Sequence, residues 1–162
     1  MTEKIEVFRK KMANPFLYRL FLWTKLPAAF WSGLRVKYID YERAEITIPF
    51  KRLTQNPFRS TYFASLSMAA EMATGVLASM AIQGDEPISM LLVKIEGGFT
   101  KKAVGLTTFT CLDGKKIFEV VEKTRATGEG VMVDCESIGR NEQGEEVCRF
   151  QIRWSFKAKK KK

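Results

Sequence analysis

One charged side chain, Glu71, stands alone in a long apolar segment of this 162-residue chain. The segment covers residues 61–83, and its apolar residues would surround a helix on almost every side. At 100° per residue, Glu71 falls on the face that carries small and hydroxyl side chains, including Ser67 and Thr74. Burial disfavours a charged carboxylate and raises its pKa toward the range in which it acts as a general base. Glu71 is therefore the first candidate for a catalytic residue.

Two non-catalytic interpretations of Glu71 remain open from the residues alone. The hydroxyl of Ser67, one turn earlier, or of Thr74, three residues later, could satisfy the carboxylate and make it structural. Alternatively, Glu71 is simply exposed to solvent. The small residues on its face leave room for a ligand or for another backbone, so a functional role competes with both.

The start of the same segment offers a second chemical group. Free backbone N–H groups near Tyr62 and Phe63, at the positive end of the helix dipole, can receive a developing oxyanion. Glu71 lies about two and a half turns further along, which is too far to act on the same carbonyl group within one chain. Two such helices that run antiparallel across a two-fold axis would bring the groups together, so the spacing is compatible with a site built by a dimer.

The surrounding pattern predicts the elements that position this helix. Helices come first, a hairpin of two strands follows, and four strands come after the long helix, so the chain is expected to be α+β with an antiparallel sheet. Ser60 or Thr61 is expected to cap the start of the long helix and Gly84 its end. Asn14 is expected to cap the second helix, which Pro27 ends. The predicted helices are 3–12, 15–26, 61–83 and 115–124, and the predicted strands are 34–38, 44–50, 90–95, 106–111, 131–138 and 148–156.

The net charge of +9 is concentrated at the two ends of the chain. Residues 1–55 carry 11 basic and 5 acidic side chains, residues 56–156 carry 11 and 13, and five further lysines lie in residues 157–162. We expect these last residues to form a solvated, disordered tail. No base-reading helix, zinc finger or aromatic RNA-binding run accompanies the lysines, so nucleic acid is not an expected partner.

The N-terminal residues do not resemble a signal peptide. Their apolar stretch, residues 16–34, is interrupted by Arg19, Lys25 and Pro27, and no uncharged run within it reaches the roughly 20 residues that a membrane-spanning helix needs. This aromatic and basic stretch could lie on a membrane surface. We favour the alternative, in which it covers the core of the domain, and a membrane is not an expected partner.

Histidine is absent from the sequence, which excludes Ser-His-Asp and Cys-His catalysis and metal sites that use histidine. No metal site is expected. The three cysteines, Cys111, Cys135 and Cys148, are far apart and form no CxxC motif. This spacing is typical of small apolar strand residues in a reducing compartment, so we expect a cytoplasmic protein.

Residues 56–73, together with the order of the elements, resemble the hot-dog fold acyl-CoA thioesterases; they read NPFRSTYFASLSMAAEMA. The similarity is greatest to the phenylacetyl-CoA thioesterase type and its uncharacterised relatives, and it covers roughly residues 33–156. That family has an Asn in the loop, His-Gly-Gly at the helix start and an acidic residue in the helix. Asn56 and Glu71 match the Asn and the acid at the family's spacing of fifteen residues. Tyr62-Phe63-Ala64 stands where the family has His-Gly-Gly.

The resemblance implies a fold, a reaction and a set of site residues. The implied fold is an antiparallel sheet wrapped around one long buried central helix (residues 33–156). The N-terminal helical extension (residues 1–32) and the basic tail (residues 157–162), which follow from the sequence pattern, lie outside the resemblance. The implied reaction is hydrolysis of an acyl-CoA thioester by a homodimer or a dimer of dimers, with coenzyme A as part of the substrate and no separate cofactor. Glu71 is the implied general base or nucleophile. The other catalytic candidates are Asn56, Tyr62 and Phe63, and the substrate-binding candidates are Ser67, Thr74, Arg59, Lys101 and Lys102.

Two alternatives accompany these expectations. The cations Lys101 and Lys102 would meet the phosphates of coenzyme A, but they could equally belong to a solvated surface loop. A non-catalytic hot-dog protein that binds acyl-CoA or another acyl ligand is the second functional hypothesis. The bulk of the Tyr62 and Phe63 side chains at the helix start favours this second hypothesis.

Overall fold

The computed structural model describes residues 3–159, which form five helices and six strands. Three short helices open the chain, and a long helix separates the first two strands from the other four. The helices are α1 (Glu3–Ala13), α2 (Pro15–Lys25), α3 (Pro27–Ser32), α4 (Phe63–Ala81) and α5 (Gly114–Thr127). The strands are β1 (Arg35–Ile39), β2 (Ala44–Pro49), β3 (Ile88–Phe99), β4 (Leu106–Cys111), β5 (Val131–Arg140) and β6 (Glu146–Ala158).

The six strands form one antiparallel sheet in the order β1-β2-β4-β5-β6-β3. Alternation gives the sheet its two faces: on β6, Phe150, Ile152 and Phe156 are buried, whereas Arg149 before Phe150 and Gln151 after it are exposed. Helix α4 packs on the apolar face and contacts β2, β4, β5 and β6. The predicted α+β class, with an antiparallel sheet around one buried helix, is confirmed.

Most residues of α4 are buried in the core. By length and composition, α4 is the one helix among the described residues that could cross a membrane, and in this structure it is the core helix. Its ends differ from the predicted caps. Tyr62 precedes the first turn without any side-chain cap, because Thr61 pairs with Gln55 in a short β-bridge. Ile82, not Gly84, closes the helix.

The N-terminal helices cover the core with one side only. Tyr18 and Leu22 of α2 are almost fully buried, which confirms that this segment packs on the domain. Asn14 caps α2 as predicted, because its side chain accepts hydrogen bonds from backbone N–H groups of the first turn. Pro27 was expected only to end a helix, but it also begins α3. The outer side of α2 and α3 is exposed.

The strands at the end of the chain are longer than predicted. β3 continues through Phe99, which pairs with Cys148, so Gly97 and Gly98, beyond the predicted strand 90–95, are also part of a strand. β6 continues to Ala158, and the N–H of Lys159 donates to the carbonyl of Pro87 at 2.8 Å. The prediction of a disordered tail is therefore wrong for residues 157–159, because pairing with β3 orders them. Residues 160–162 lie outside the described residues.

Candidate active site

The Glu71 carboxylate is half-buried on the outward side of α4. Its Oε1 atom lies 3.0 Å from the point that a Cβ on Gly75 would occupy, and Cζ2 of Trp154 lies 3.4 Å from the same point. The missing side chain at Gly75 therefore leaves the space into which the carboxylate folds. No described residue donates a hydrogen bond to this carboxylate, and desolvation raises its pKa above the ordinary value of 4.5.

The hydroxyl groups on either side of Glu71 bind the backbone. Thr74 Oγ1 donates to the carbonyl oxygen of Glu71 at 3.0 Å and accepts from Trp154 Nε1 at 2.9 Å. Ser67 Oγ donates to the carbonyl oxygen of Phe63 at 2.9 Å. Neither hydroxyl donates to the carboxylate, so the interpretation in which they satisfy it is not realised. Thr74 is fully buried beneath Glu71, whereas Ser67 is half-buried on the outward side.

Sequence reasoning did not connect Tyr18 of α2 with this site. Tyr18 is almost fully buried, and its hydroxyl has no hydrogen-bond partner among residues 3–159. Burial raises the pKa of this phenol, and the charge of Glu71 raises it further. The sequence places Tyr18 on the apolar stripe of α2. This pattern predicts that Tyr18 is buried, but it does not predict which residues surround it. The fold thus gives Glu71 a nearby phenol group from the N-terminal helices.

Asn56 organises the loop that leads into α4. Its Oδ1 accepts from the backbone N–H groups of Phe58 at 3.0 Å and Ser60 at 3.2 Å, and its Nδ2 donates to Ser60 Oγ at 3.0 Å. Arg59, inside this turn, adopts a φ of 58°, in the left-handed region. The side chain of Asn56 therefore shapes the loop that carries the chain to Tyr62.

The first turn of α4 leaves two backbone donors available. The N–H of Tyr62 donates to the carbonyl oxygen of Thr54 at 2.6 Å, so this group is not free, contrary to the sequence-based expectation. The N–H groups of Phe63 and Ala64 have no acceptor among the described residues, as expected for the first positions of a helix. The available pair of donors is thus Phe63 and Ala64.

An open cavity of about 600 Å³ adjoins this helix start. Its walls are the loop before α4, the first turn of α4 and the connection that follows β3. The exposed Lys101 and Lys102 line it, whereas Arg59 does not. Lys101 forms an ion pair with Glu145 at 2.6 Å, and Lys102 Nζ donates to the carbonyl oxygen of Phe58 at 3.3 Å. Two cations therefore stand beside the free helix donors.

The structure divides the predicted site residues into two groups, except for Arg59, which belongs to neither. Glu71 lies eight positions after Phe63, which corresponds to about 12 Å along α4. A carbonyl group held at the helix start is thus out of reach of Glu71 in the same chain. The cavity group is Asn56, Tyr62, Phe63, Lys101 and Lys102; the mid-helix group is Glu71, Ser67 and Thr74.

Across residues 3–159, no cluster of three or more His, Cys, Asp or Glu side chains could hold a metal ion.

Comparison with known proteins gives one family and several structures. A family model described as a domain of unknown function, DUF4442, matches residues 20–156. None of the curated proteins is a match.

Three solved structures illustrate the similarity of fold. A Pseudomonas aeruginosa protein of unknown function, named a probable thioesterase, is 20% identical with a TM-score of 0.75, over 92% of this chain and 99% of that chain. The E. coli PaaI protein, of the phenylacetic acid degradation operon, is 15% identical with a TM-score of 0.64, over 91% and 94%. A thioesterase from Haemophilus influenzae is 13% identical with a TM-score of 0.63, over 86% and 88%. Together with the sheet and its central helix, these likenesses confirm the hot-dog fold.

Proposed function

Since this chain belongs to the DUF4442 family and has the hot-dog fold, we propose that it hydrolyses an acyl-CoA thioester. The main support for the proposal is the environment of the Glu71 carboxylate. This group is half-buried, it accepts no hydrogen bond from any described residue, and its pKa is raised above the ordinary value. Structural neighbours that are named thioesterases support the class of reaction. Polar groups with perturbed pKa values cluster at functional sites, which also supports a role for Glu71.

In the proposed reaction, Glu71 takes a proton from water as the water oxygen attacks the thioester carbon. Two N–H groups of a helix start, those of Phe63 and Ala64, stabilise the oxyanion that forms. The carbon–sulfur bond then breaks, and the proton held by Glu71 passes to the departing thiolate of coenzyme A. The products are a carboxylic acid and free coenzyme A. As a nucleophile, Glu71 would instead attack the thioester carbon and expel the thiolate of coenzyme A, which takes a proton from water. Water then hydrolyses the resulting mixed anhydride to the carboxylic acid and restores Glu71.

The separation along α4 requires that the carboxylate and the donors come from two copies of the chain. The edge strand β3 supports a homodimer, or a dimer of dimers, as part of the proposal. Among the described residues, β3 pairs only with β6 in the sheet, and its Leu91, Val93 and Ile95 are exposed. An exposed apolar edge strand is prone to pair with another strand. A second copy beside β3 would cover these side chains.

Charge and cysteine chemistry complete the proposal. Lys101 and Lys102 at the cavity would meet the phosphates of coenzyme A. Cys111, Cys135 and Cys148 are free and buried, which is compatible with the proposed cytoplasmic location.

The test is thiol release from short, long and aromatic acyl-CoAs by the wild type and by Glu71→Gln. We expect the variant to lose about 100-fold or more in kcat, the usual range for removing a general base. Its Tm should stay the same or rise, because a neutral amide is cheaper to bury than a carboxylate. Glu119→Gln, which removes an exposed carboxylate on α5, is the matched control and should change neither quantity.

Two outcomes would contradict the proposed function. One is turnover by Glu71→Gln at the wild-type rate. The other is a folded wild type that releases no thiol from any member of the acyl-CoA series.

A non-catalytic acyl-CoA-binding protein is the second candidate. The side chains of Tyr62 and Phe63 stand over the helix start and pack edge to face, with ring centroids 4.8 Å apart. This bulk narrows access to the N–H groups of the first turn, which favours binding without hydrolysis. Calorimetric binding of an acyl-CoA by a wild type that releases no thiol would support this candidate.

A further inference from the structure

The outer surface of α2 and α3 carries apolar side chains that the fold leaves uncovered. Phe16 is 75% exposed, Trp23 is 60% exposed and Trp31 is 61% exposed. Tyr18 and Leu22, on the other side of α2, already fill the core. Single exposed apolar residues are common, but a contiguous aromatic group marks an interaction surface.

These side chains form one continuous surface. Phe16, Leu20 and Trp23 recur at i, i+4 and i+7, which places them on one stripe of α2. They line a shallow cavity together with Phe30 of α3. Trp31 meets Phe30 edge to face, with ring centroids 5.3 Å apart. We call these five residues the aromatic face.

Cations border the aromatic face. The Arg19 guanidinium lies 4.3 Å from the ring centroid of Phe30. Arg35 and Lys51 line an adjoining cavity of about 560 Å³, to which Phe30 and Trp31 also contribute. No Asp or Glu lines either cavity, and none of the three cations pairs with a described carboxylate. The border is therefore uniformly positive.

We propose that the aromatic face docks on the surface of an anionic membrane. Trp side chains are enriched at the boundary between headgroups and acyl chains, Phe and Leu are typical of the apolar face of interfacial helices, and the bordering cations would pair with lipid phosphates. The sequence around the face strengthens this match, because residues 7–39 contain seven basic residues and no acidic residue. This role goes beyond the proposed hydrolysis and does not depend on Glu71.

A second copy of the chain fits the aromatic face less well than a membrane does. In a two-fold contact the same patch meets itself, so Arg19, Arg35 and Lys51 would face the same three cations. Like charges set against each other oppose association. An anionic lipid surface has the complementary charge, and it accommodates Trp23 and Trp31 without a shaped pocket.

The test is sedimentation of the full chain with vesicles of phosphatidylcholine alone or mixed with phosphatidylglycerol. We expect binding to the anionic vesicles that weakens as salt is added. Fluorescence gives a second readout, because Trp23 and Trp31 are exposed whereas Trp154 is buried. The emission should move to shorter wavelength with anionic vesicles only.

Paired variants separate the aromatic and the charged contributions. Phe16→Ser combined with Trp23→Ser should weaken vesicle binding by about tenfold or more. The matched control, Leu112→Ser combined with Met132→Ser, changes two equally exposed apolar residues elsewhere and should bind as the wild type does.

A charge variant tests the cation border. Arg35→Gln combined with Lys51→Gln should weaken binding to anionic vesicles by about tenfold or more. Lys123→Gln, an exposed position on α5, is its control. Turnover of a soluble acyl-CoA should be unchanged in all these variants, so failure of membrane binding and failure of the proposed hydrolysis are distinguishable.

Three results would overturn the membrane proposal. The first is a wild type that sediments with neither vesicle. The second is equal binding by the variants of the aromatic face and by their controls. The third is a smaller particle in solution for the Phe16→Ser and Trp23→Ser variant, which would show that a second copy covers the face.

Discussion

Trp154 of β6 donates its indole N–H to the hydroxyl of Thr74 at 2.9 Å, across the interface between the sheet and α4. Thr74 in turn donates to the carbonyl oxygen of Glu71 at 3.0 Å. A residue of the sheet is thereby tied to the helical turn that carries the candidate carboxylate. The position of Glu71 depends on the packing of α4 against β6 and not on the helix alone.

Replacing Thr74 should break this connection at a measurable cost. Thr74→Val keeps the shape but leaves the buried indole N–H of Trp154 without an acceptor, which costs about 1–3 kcal/mol. Urea unfolding would measure the loss. Thr74→Ser keeps the hydroxyl and serves as the control, with a smaller loss. Equal free energies of unfolding for the two variants would contradict a structural role for this hydrogen bond.

The raised pKa of Glu71 predicts a pH dependence of stability. In the unfolded chain the carboxyl ionises near 4.5, whereas in the folded chain desolvation keeps it protonated to higher pH. The contribution of this carboxyl group to stability is therefore fully present below pH 4.5, and it is lost as the pH rises through the raised pKa. Glu71→Gln removes the effect.

Urea unfolding of the wild type and of Glu71→Gln at a series of pH values checks this sign. The difference in free energy of unfolding, variant minus wild type, should grow with pH above 4.5 and then level off. Turnover by the wild type should rise over the same window, because only the deprotonated carboxylate acts as a base. A difference that stays constant across the window would show that Glu71 is solvated.

Replacing Gly75 should change the position of the Glu71 carboxylate more than the stability of α4. A Cβ at this position would lie 3.0 Å from Glu71 Oε1, so Gly75→Ala displaces the carboxylate. Ala is favoured over Gly inside a helix by about 0.5–1 kcal/mol, which offsets part of the crowding. We expect a free energy of unfolding within about 1 kcal/mol of the wild type but a fall of about tenfold or more in kcat.

A nearby residue on α4 provides the control for this prediction. Ser79→Ala raises helix propensity one turn further along, and its hydroxyl contacts only the sulfur of Met90 among the described residues. Both kcat and stability should stay close to those of the wild type. A kcat unchanged by Gly75→Ala would mean that the position of the carboxylate is not critical.

Local patterns predicted the frame of the molecule well. The alternation in residues 148–156 and the apolar length of residues 61–83 correspond to β6 and α4. Both patterns are strong because one face of β6 and nearly all of α4 are buried. The fold class follows from the order of such elements.

Features that depend on long-range contacts were not predicted. Thr61 could not be excluded as a cap, because its pairing with Gln55 is a property of the folded loop. The order of residues 157–159 comes from pairing with β3, which the run of lysines does not reveal. The charge of Glu71 raises the pKa of Tyr18, although the two residues lie on different helices whose apolar patterns are independent of each other. In each case a partner distant in sequence decides the outcome.

Lys102 should contribute to binding of coenzyme A more than Lys101 does. The ammonium of Lys101 already pairs with Glu145, whereas Lys102 donates only to a backbone carbonyl among the described residues. Lys102→Gln should raise KM for an acyl-CoA by about fivefold, with kcat unchanged, as expected for loss of uniform binding. The increase in KM should be smaller in roughly 0.5 M salt, because salt screens the contact between the ammonium group and phosphate. Lys123→Gln is the control. An equal KM for the two variants would show that Lys102 does not contribute to binding of coenzyme A.

The three cysteines should be inert in the native protein. Cys111, Cys135 and Cys148 are buried on the neighbouring strands β4, β5 and β6. Burial raises the pKa of the Cys111 and Cys148 thiols to about 12, and it also raises the pKa of the Cys135 thiol. Since the thiolate is the reactive form, Ellman's reagent should titrate no thiol in buffer at neutral pH and all three in guanidinium chloride. The same reagent can then follow release of coenzyme A without a background from the protein, whereas rapid titration of a native thiol would show that one of these strands opens.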